Sequence, residues 1–213
     1  HKHAYVIEEY VPGPSVTYDG IADAQGRVLY ATSHLFPRAP AFSLGEPGRQ
    51  LSFFSPSDVP ADPSDFGLRV LHTFSIEARF FHLEFIRLSQ DKSGLGKSGD
   101  LVALQVNMRS PGGMITDMMH YASDIDVYGM WADMIVYGRL SRPAMNSQYI
   151  CGYASRAKNL PYLHSHEAIL KQHGALIRHH LPVPEIMGSA MGDYVYLFCA
   201  KDEQSIRGII DDI

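Results

Sequence analysis

FFHLEFIRL (residues 80–88), then LVALQVN (101–107) and MRSPGG (108–113), is the stretch that decides how this chain reads. The first is rich in aromatic residues and the second in aliphatic ones. Between them lies SQDKSGLGKSGD (89–100), which is polar and glycine-rich, so the pattern predicts a hairpin with a long loop. Side chains alternate faces along a strand. Glu84 therefore shares a face with His82 and Ile86, and Gln105 shares one with Asn107. Pairing the strands lets three oxygen-bearing side chains, Glu84, Gln105 and Asn107, converge. Arg109 follows two residues later, and Pro111-Gly112-Gly113 lets backbone approach a ligand closely. Hard cations such as Mg²⁺ take oxygen ligands, commonly one or two carboxylates plus nucleotide phosphates. An arginine beside such a set suits a phosphate or a developing anion. On spacing alone Glu84 reads first as a residue on a solvated strand face, and the metal site is the lesser of the two readings.

Working outward, residues 4–11 (AYVIEEYV) read as a strand ended by Pro12-Gly13-Pro14. Strands are predicted over 16–22 and 27–33, joined by a turn at Asp23-Ala24-Gln25-Gly26. Residues 34–64 are proline-rich, a long excursion with a short strand near Leu51–Phe54. Ser64-Asp65 can cap a helix that carries Phe66, Val70, Leu71 and Phe74 at helical spacing. A helix or broken pair covers 116–137, burying Met118, Ile125, Trp131, Met134 and Ile135, with Asp124 or Asp126 starting its second half. Composition shifts after Ser141-Arg142-Pro143. Beyond it come a strand at 148–155, a helix at 164–173, strands at 183–190 and 194–200 around Met191-Gly192-Asp193, and a last helix at 202–213. The predicted class is α+β, a mostly antiparallel sheet with flanking helices. Its predicted units are a core lobe, 1–142, and a small C-terminal α/β unit, 143–213.

The chain has 213 residues, 46% hydrophobic and 19% charged, enough for a sizeable core. A net charge of −5 argues against a nucleic-acid partner, which leaves a basic footprint. Two cysteines imply no disulfide framework and fit a reducing, cytoplasmic setting. No apolar run reaches the roughly 18 residues of a membrane span. The first residues read as a strand already under way, so the chain is expected to be the C-terminal part of a longer polypeptide.

The block His82-Leu83-Glu84-Phe85, the polar loop, then Gln105-Val106-Asn107-Met108-Arg109 resembles the end of the ATP-grasp fold. That pattern is an acidic residue on one strand and Glu-x-Asn-x-Arg on the next. Pro111-Gly112-Gly113 and Thr116-Asp117-Met118-Met119 resemble the carboxylate–amine ligase and biotin carboxylase-like branches. The opening Val6-Ile7-Glu8-Glu9-Tyr10-Val11-Pro12-Gly13 is similar to the hinge strand that holds adenine there. The resemblance covers about residues 4–140.

By that resemblance, the expected activity is an ATP- and Mg²⁺-dependent ligase. It would activate a small-molecule carboxylate as an acyl phosphate and join it to an amine or similar nucleophile, and a homodimer is one assembly it allows. The resemblance implies Glu84, Gln105 and Asn107 as metal ligands and Arg109 as the catalytic arginine on transferred phosphate. Glu8, Tyr10 and Val11 would meet adenine, with Ile86 beneath its ring and Ser15 at the ribose. Two positions depart from the family: Gln105 and Ser15 stand where acids are usual. A neutral amide lowers metal affinity, and a serine bonds a hydroxyl without charge assistance. The alternative is therefore a non-catalytic ATP-grasp relative that binds a ligand or a partner. A third reading is a biotin carboxylase-like enzyme acting on bicarbonate. His82 lies on the expected active face, and His34 and Arg38 border the proline-rich excursion. Gly94-Leu95-Gly96-Lys97 lacks the phosphate-loop order and reads as a hairpin tip. His164, His166, His179 and His180 show no recognised zinc spacing. Cys151 and Cys199 read as buried apolar residues.

Overall fold

The computed structural model describes residues 7–37, 50–141, 148–158 and 160–213. Among the described residues nine strands form one sheet in which every pair is antiparallel. They are β1 (Ser15–Ala22), β2 (Val28–Thr32), β3 (Leu35–Phe36), β4 (Ser52–Phe54), β5 (Arg79–Arg87), β6 (Leu101–Asn107), β7 (Ile150–Arg156), β8 (Ile177–Pro182) and β9 (Tyr194–Ala200). The spatial order is β6-β5-β1-β3-β4-β7-β9-β8, and β2 also pairs with β1. The described helices are α1 (Ala61–Thr73), α2 (Ile115–Ser123), α3 (Val127–Tyr137), α4 (His166–His173), α5 (Glu185–Met191) and α6 (Glu203–Asp212). None of them is long and apolar enough to cross a membrane. The α+β class with a mostly antiparallel sheet is as the sequence predicts.

Helices cover both faces, because β1 and β5 are buried on both. On one face Val70 and Leu71 of α1 meet Val16, Tyr18, Leu83 and Phe85. The same face carries α4 and α6, whose Ile169, Ile206 and Ile209 pack on Phe54, Tyr196 and Phe198. On the other, Met118 and Met119 of α2 and Met134 of α3 pack with Ile21, Phe80, Tyr153 and Leu197. Asp23 closes the β1–β2 turn by accepting the backbone N–H groups of Gln25 and Arg27, both at 2.9 Å.

Several expected elements differ. Helix α1 starts at Ala61 after an extended Pro60, three residues before the predicted cap, because Pro60 and Pro63 suit a first turn whose N–H positions have no intrahelical partner. Residues 183–190 do not form a strand. Pro182 and Pro184 end β8, and Pro184 precedes α5, so the strand lies earlier, at 177–182. Residues 7–10 have no regular structure, with Ile7 at 96% exposure, and residues 4–6 of that expected strand lie outside the described residues. Arg38 lies outside them too. The break within 116–137 falls where Asp126 caps α3 by accepting from Gly129 N at 2.9 Å. Ile135, expected in the core, is exposed.

Candidate functional site

The site is a polar stripe on the sheet face that carries α2 and α3. Register builds it. Strand β1 places Ser15, Thr17 and Asp19 opposite Ile86, Glu84 and His82 of β5. On the other side of β5, Glu84 faces Gln105 and His82 faces Asn107 of β6. Two rows result, Thr17–Glu84–Gln105 and Asp19–His82–Asn107. The row beyond Asp19 is apolar, Ile21 beside Phe80, and Trp131 of α3 covers Phe80 at a 4.9 Å ring separation. A helix thus closes one end of the stripe.

Asp19 is fully buried, and three donors reach it. His34 Nδ1 lies 2.8 Å from Oδ2, His82 Nδ1 lies 2.5 Å from Oδ1, and the Thr17 hydroxyl donates to Oδ2. Burial alone would push this carboxyl up. The hydrogen bonds and charge of His34 and His82 reverse that and hold it at about 2. Burial would lower His82, but the bonds and charge of Asp19 and Glu84 raise it to about 9. The other ring nitrogen of His82, Nε2, lies 3.1 Å from Glu84 Oε1. His34 sits at the break between β2 and β3. There its backbone N–H donates to the Thr17 hydroxyl at 3.0 Å, and Thr17 N donates to its carbonyl at 3.0 Å.

Asn107 Nδ2 donates to Glu84 Oε1 at 3.4 Å and to Gln105 Oε1 at 3.3 Å. Arg109 donates to Asn107 Oδ1 at 3.5 Å and to the Ser110 carbonyl at 2.8 Å. Glu84, Gln105, Asn107 and Arg109 are therefore neighbours, as the hairpin reading expects. One carboxylate and two amides are an all-oxygen donor set, which fits a hard cation that draws further ligands from phosphates. Among the described residues no group of three or more His, Cys, Asp or Glu side chains is placed to hold a metal.

Ser15 and Ile86 are direct partners one row from Glu84, and the Ser15 hydroxyl is buried without a hydrogen-bond partner among the described residues. Gly13 lies against them. A Cβ there would stand 1.9 Å from the Arg87 carbonyl, so only glycine lets the chain hug β5. Glu8 and Tyr10 are exposed. Their segment is tied to the 89–100 loop through Lys92, which pairs with Glu9 at 2.8 Å and donates to the Tyr10 carbonyl at 3.2 Å. Val11 follows, half-buried. Sequence reasoning missed Asp19 and Thr17. The signal was present, because SVTYDGIA alternates Ser15, Thr17 and Asp19 with larger residues.

No protein-family model and no curated protein matches the sequence. Solved structures do match in fold. An L-amino acid ligase from Bacillus licheniformis superposes with a TM-score of 0.65 at 13% identity, over 95% of this chain and 52% of that one. A phosphoribosylaminoimidazole carboxylase ATPase subunit from Aquifex aeolicus gives 0.64 at 13% identity, over 96% and 56%. The biotin carboxylase domain of Hydrogenobacter thermophilus 2-oxoglutarate carboxylase, in complex with MgADP, ADP and bicarbonate, gives 0.54 at 12%, over 91% and 43%. The chain spans about half the length of these structures. At these identities the likeness concerns the fold alone: this chain has the fold of about half of each of those proteins.

Proposed function

We propose that this chain carries the metal- and phosphate-facing wall of an ATP-dependent ligase. The complete protein would activate a carboxylate as an acyl phosphate and join it to an amine or similar nucleophile. One observation carries the reading: Glu84, Gln105 and Asn107 meet on paired strands with Arg109 beside them, on a sheet with the ATP-grasp fold.

The chemistry runs in two displacements. A carboxylate oxygen attacks the γ-phosphorus of ATP, forming the acyl phosphate and releasing ADP. The amine then attacks the acyl carbon and phosphate leaves. Both steps gather negative charge on phosphoryl oxygens, so catalysis is mainly positioning and charge neutralisation. Glu84, Gln105 and Asn107 would hold Mg²⁺, which when bound supplies charge neutralisation at the phosphates. Arg109 would donate to the transferred phosphoryl and acyl-phosphate oxygens. Glu8, Tyr10 and Val11 would hold adenine, with Ile86 under its ring and Ser15 at the ribose. The protein would work in the cytoplasm, as a homodimer, on small-molecule carboxylate and amine substrates.

A second reading has its own observation. Gln105 and Ser15 carry no charge where the family has acids, which suits a relative that binds nucleotide or a partner without turnover. One comparison separates the two. In the full-length protein, calorimetry with a non-hydrolysable ATP analogue should show binding that tightens with Mg²⁺, and Glu84→Ala should abolish both that effect and Mg²⁺-dependent ATP turnover. Metal-dependent binding without turnover supports the second reading. Unchanged metal dependence in Glu84→Ala removes Glu84 from the metal site.

A further inference from the structure

Asp19 is the most enclosed charged group of the stripe, at 0% exposure. It lies one strand away from Glu84 and does not touch it. His82 touches both: Nδ1 meets Asp19 Oδ1 at 2.5 Å and Nε2 meets Glu84 Oε1 at 3.1 Å. A carboxylate, an imidazole and a second carboxylate thus stand in sequence, with Asp19 at the closed end and Glu84 at the open end. We propose that Asp19 and His82 are positioning residues for Glu84, fixing its carboxylate so that one oxygen is held inside the protein and the other is presented to a divalent cation. This rests on the metal-binding reading of Glu84.

A glutamate on a strand face has several rotatable bonds, and ordering a long side chain costs about 1–2 kcal/mol of rotamer freedom. Here Oε1 is engaged twice, by His82 Nε2 and by Asn107 Nδ2. Among the described residues Oε2 has no hydrogen-bond partner, so the open oxygen is defined by what holds the other. The imidazole can do this only if its own ring is fixed, and Asp19 fixes it. Asp19 is itself immobile, because Thr17 and His34 bind its second oxygen. His34 also faces Phe53, at 6.1 Å between ring centres, so the closed end is packed as well as bonded. An imidazole that joins a ligand carboxylate to a buried carboxylate is the kind of outer support whose loss weakens metal binding by about 10–100-fold. A carboxylate serving only to tie β1 to β5 would need no second nitrogen on Glu84.

The test titrates Mg²⁺ by calorimetry into the full-length protein saturated with AMP-PNP. Asp19→Asn keeps the shape and removes the charge. The expected result is Mg²⁺ affinity weakened about 10–100-fold, with metal-free AMP-PNP binding unchanged. In a Glu84→Gln background the same Asp19→Asn change should add almost nothing, because its effect passes through Glu84. A purely structural role would cost the same in both backgrounds. Should Asp19→Asn fail to fold, His82→Gln keeps Asp19 bonded to Thr17 and His34 and is read the same way. Affinity within twofold of the parent, or an equal loss in the Glu84→Gln background, overturns the inference. If Glu84→Gln alone leaves Mg²⁺ affinity intact, the metal reading fails and takes this inference with it. If Glu84→Gln weakens Mg²⁺ while Asp19→Asn and His82→Gln do not, only the positioning role fails.

Discussion

Gln105 is the residue on which the proposed chemistry turns. It faces Glu84 across β5 and β6, and it accepts from Asn107 at 3.3 Å. Its amide oxygen is a competent donor for a hard cation but brings no charge, so the oxygen set holds one negative charge where two would bind Mg²⁺ more firmly. Gln105→Glu restores that charge on an exposed position of an edge strand, where little packing is disturbed. The expected outcome in the full-length protein is Mg²⁺-dependent nucleotide binding about tenfold tighter or more, following ligand charge. Calorimetry with and without Mg²⁺ reads it, and weaker binding would show that residue 105 does not face the metal. The convergence of Glu84, Gln105 and Asn107 could be read from sequence because a hairpin brings near neighbours together and strand parity fixes their face. Asp19 could not be placed. It meets His82 only through the β1–β5 pairing, and the two residues are 63 positions apart. Local pattern marks the alternation of Ser15, Thr17 and Asp19 but cannot say which strand it faces.

At the scale of elements, the sequence signal was strong where hydrophobic period was uninterrupted and weak where proline intervened. Strands β5, β6 and β9 lie within a residue or two of expectation. Residues 183–190 carry apolar residues that read as a strand, yet Pro182 and Pro184 stop the ladder and seed a helical turn. Conversely, α1 is a helix despite Pro63 and Gly67 because both have local uses. Pro63 lies in the first turn, where it forfeits no intrahelical bond. Gly67 meets the sheet: a Cβ there would stand 2.2 Å from Cδ1 of Tyr18 and 2.8 Å from its Cγ. Tyr18 is buried and packs on Phe81 at 5.2 Å, so its ring has little room to yield. Two effects of Gly67→Ala compete. Helix propensity favours alanine by about 1 kcal/mol, while overpacking a tight contact costs about 1–3 kcal/mol. The contact lies well inside van der Waals distance, so overpacking should win. The expected outcome is a net loss of up to about 2 kcal/mol in urea unfolding, with m unchanged. A variant as stable as the parent would mean that α1 can lift from β1 at little cost.

For the whole molecule, the composition shift near residues 140–147 raises the question of one folding unit or two. Residues 142–147 lie outside the described structure, but the strands on either side share one sheet. Strand β7 pairs with β4 through Ser52–Ala154, Phe53–Tyr153 and Phe54–Gly152. An aromatic stack crosses the same seam, Phe36 on Phe53 at 4.3 Å and Phe53 on Tyr153 at 4.7 Å. One hydrophobic cluster contains Phe36, Phe53 and Phe80 together with Tyr153, Val195 and Leu197. Units that share a ladder, a ring stack and a core should not unfold separately, because opening either exposes the buried face of the other. Scanning calorimetry should therefore show a single transition with equal calorimetric and van't Hoff enthalpies. Phe53→Ala sharpens the test. It removes the central ring of the stack at a cost of about 3–5 kcal/mol, and a shared core should lower the whole transition without dividing it. Two resolved transitions, with only one displaced by Phe53→Ala, would instead establish a core lobe and a separate C-terminal unit joined near residues 140–147.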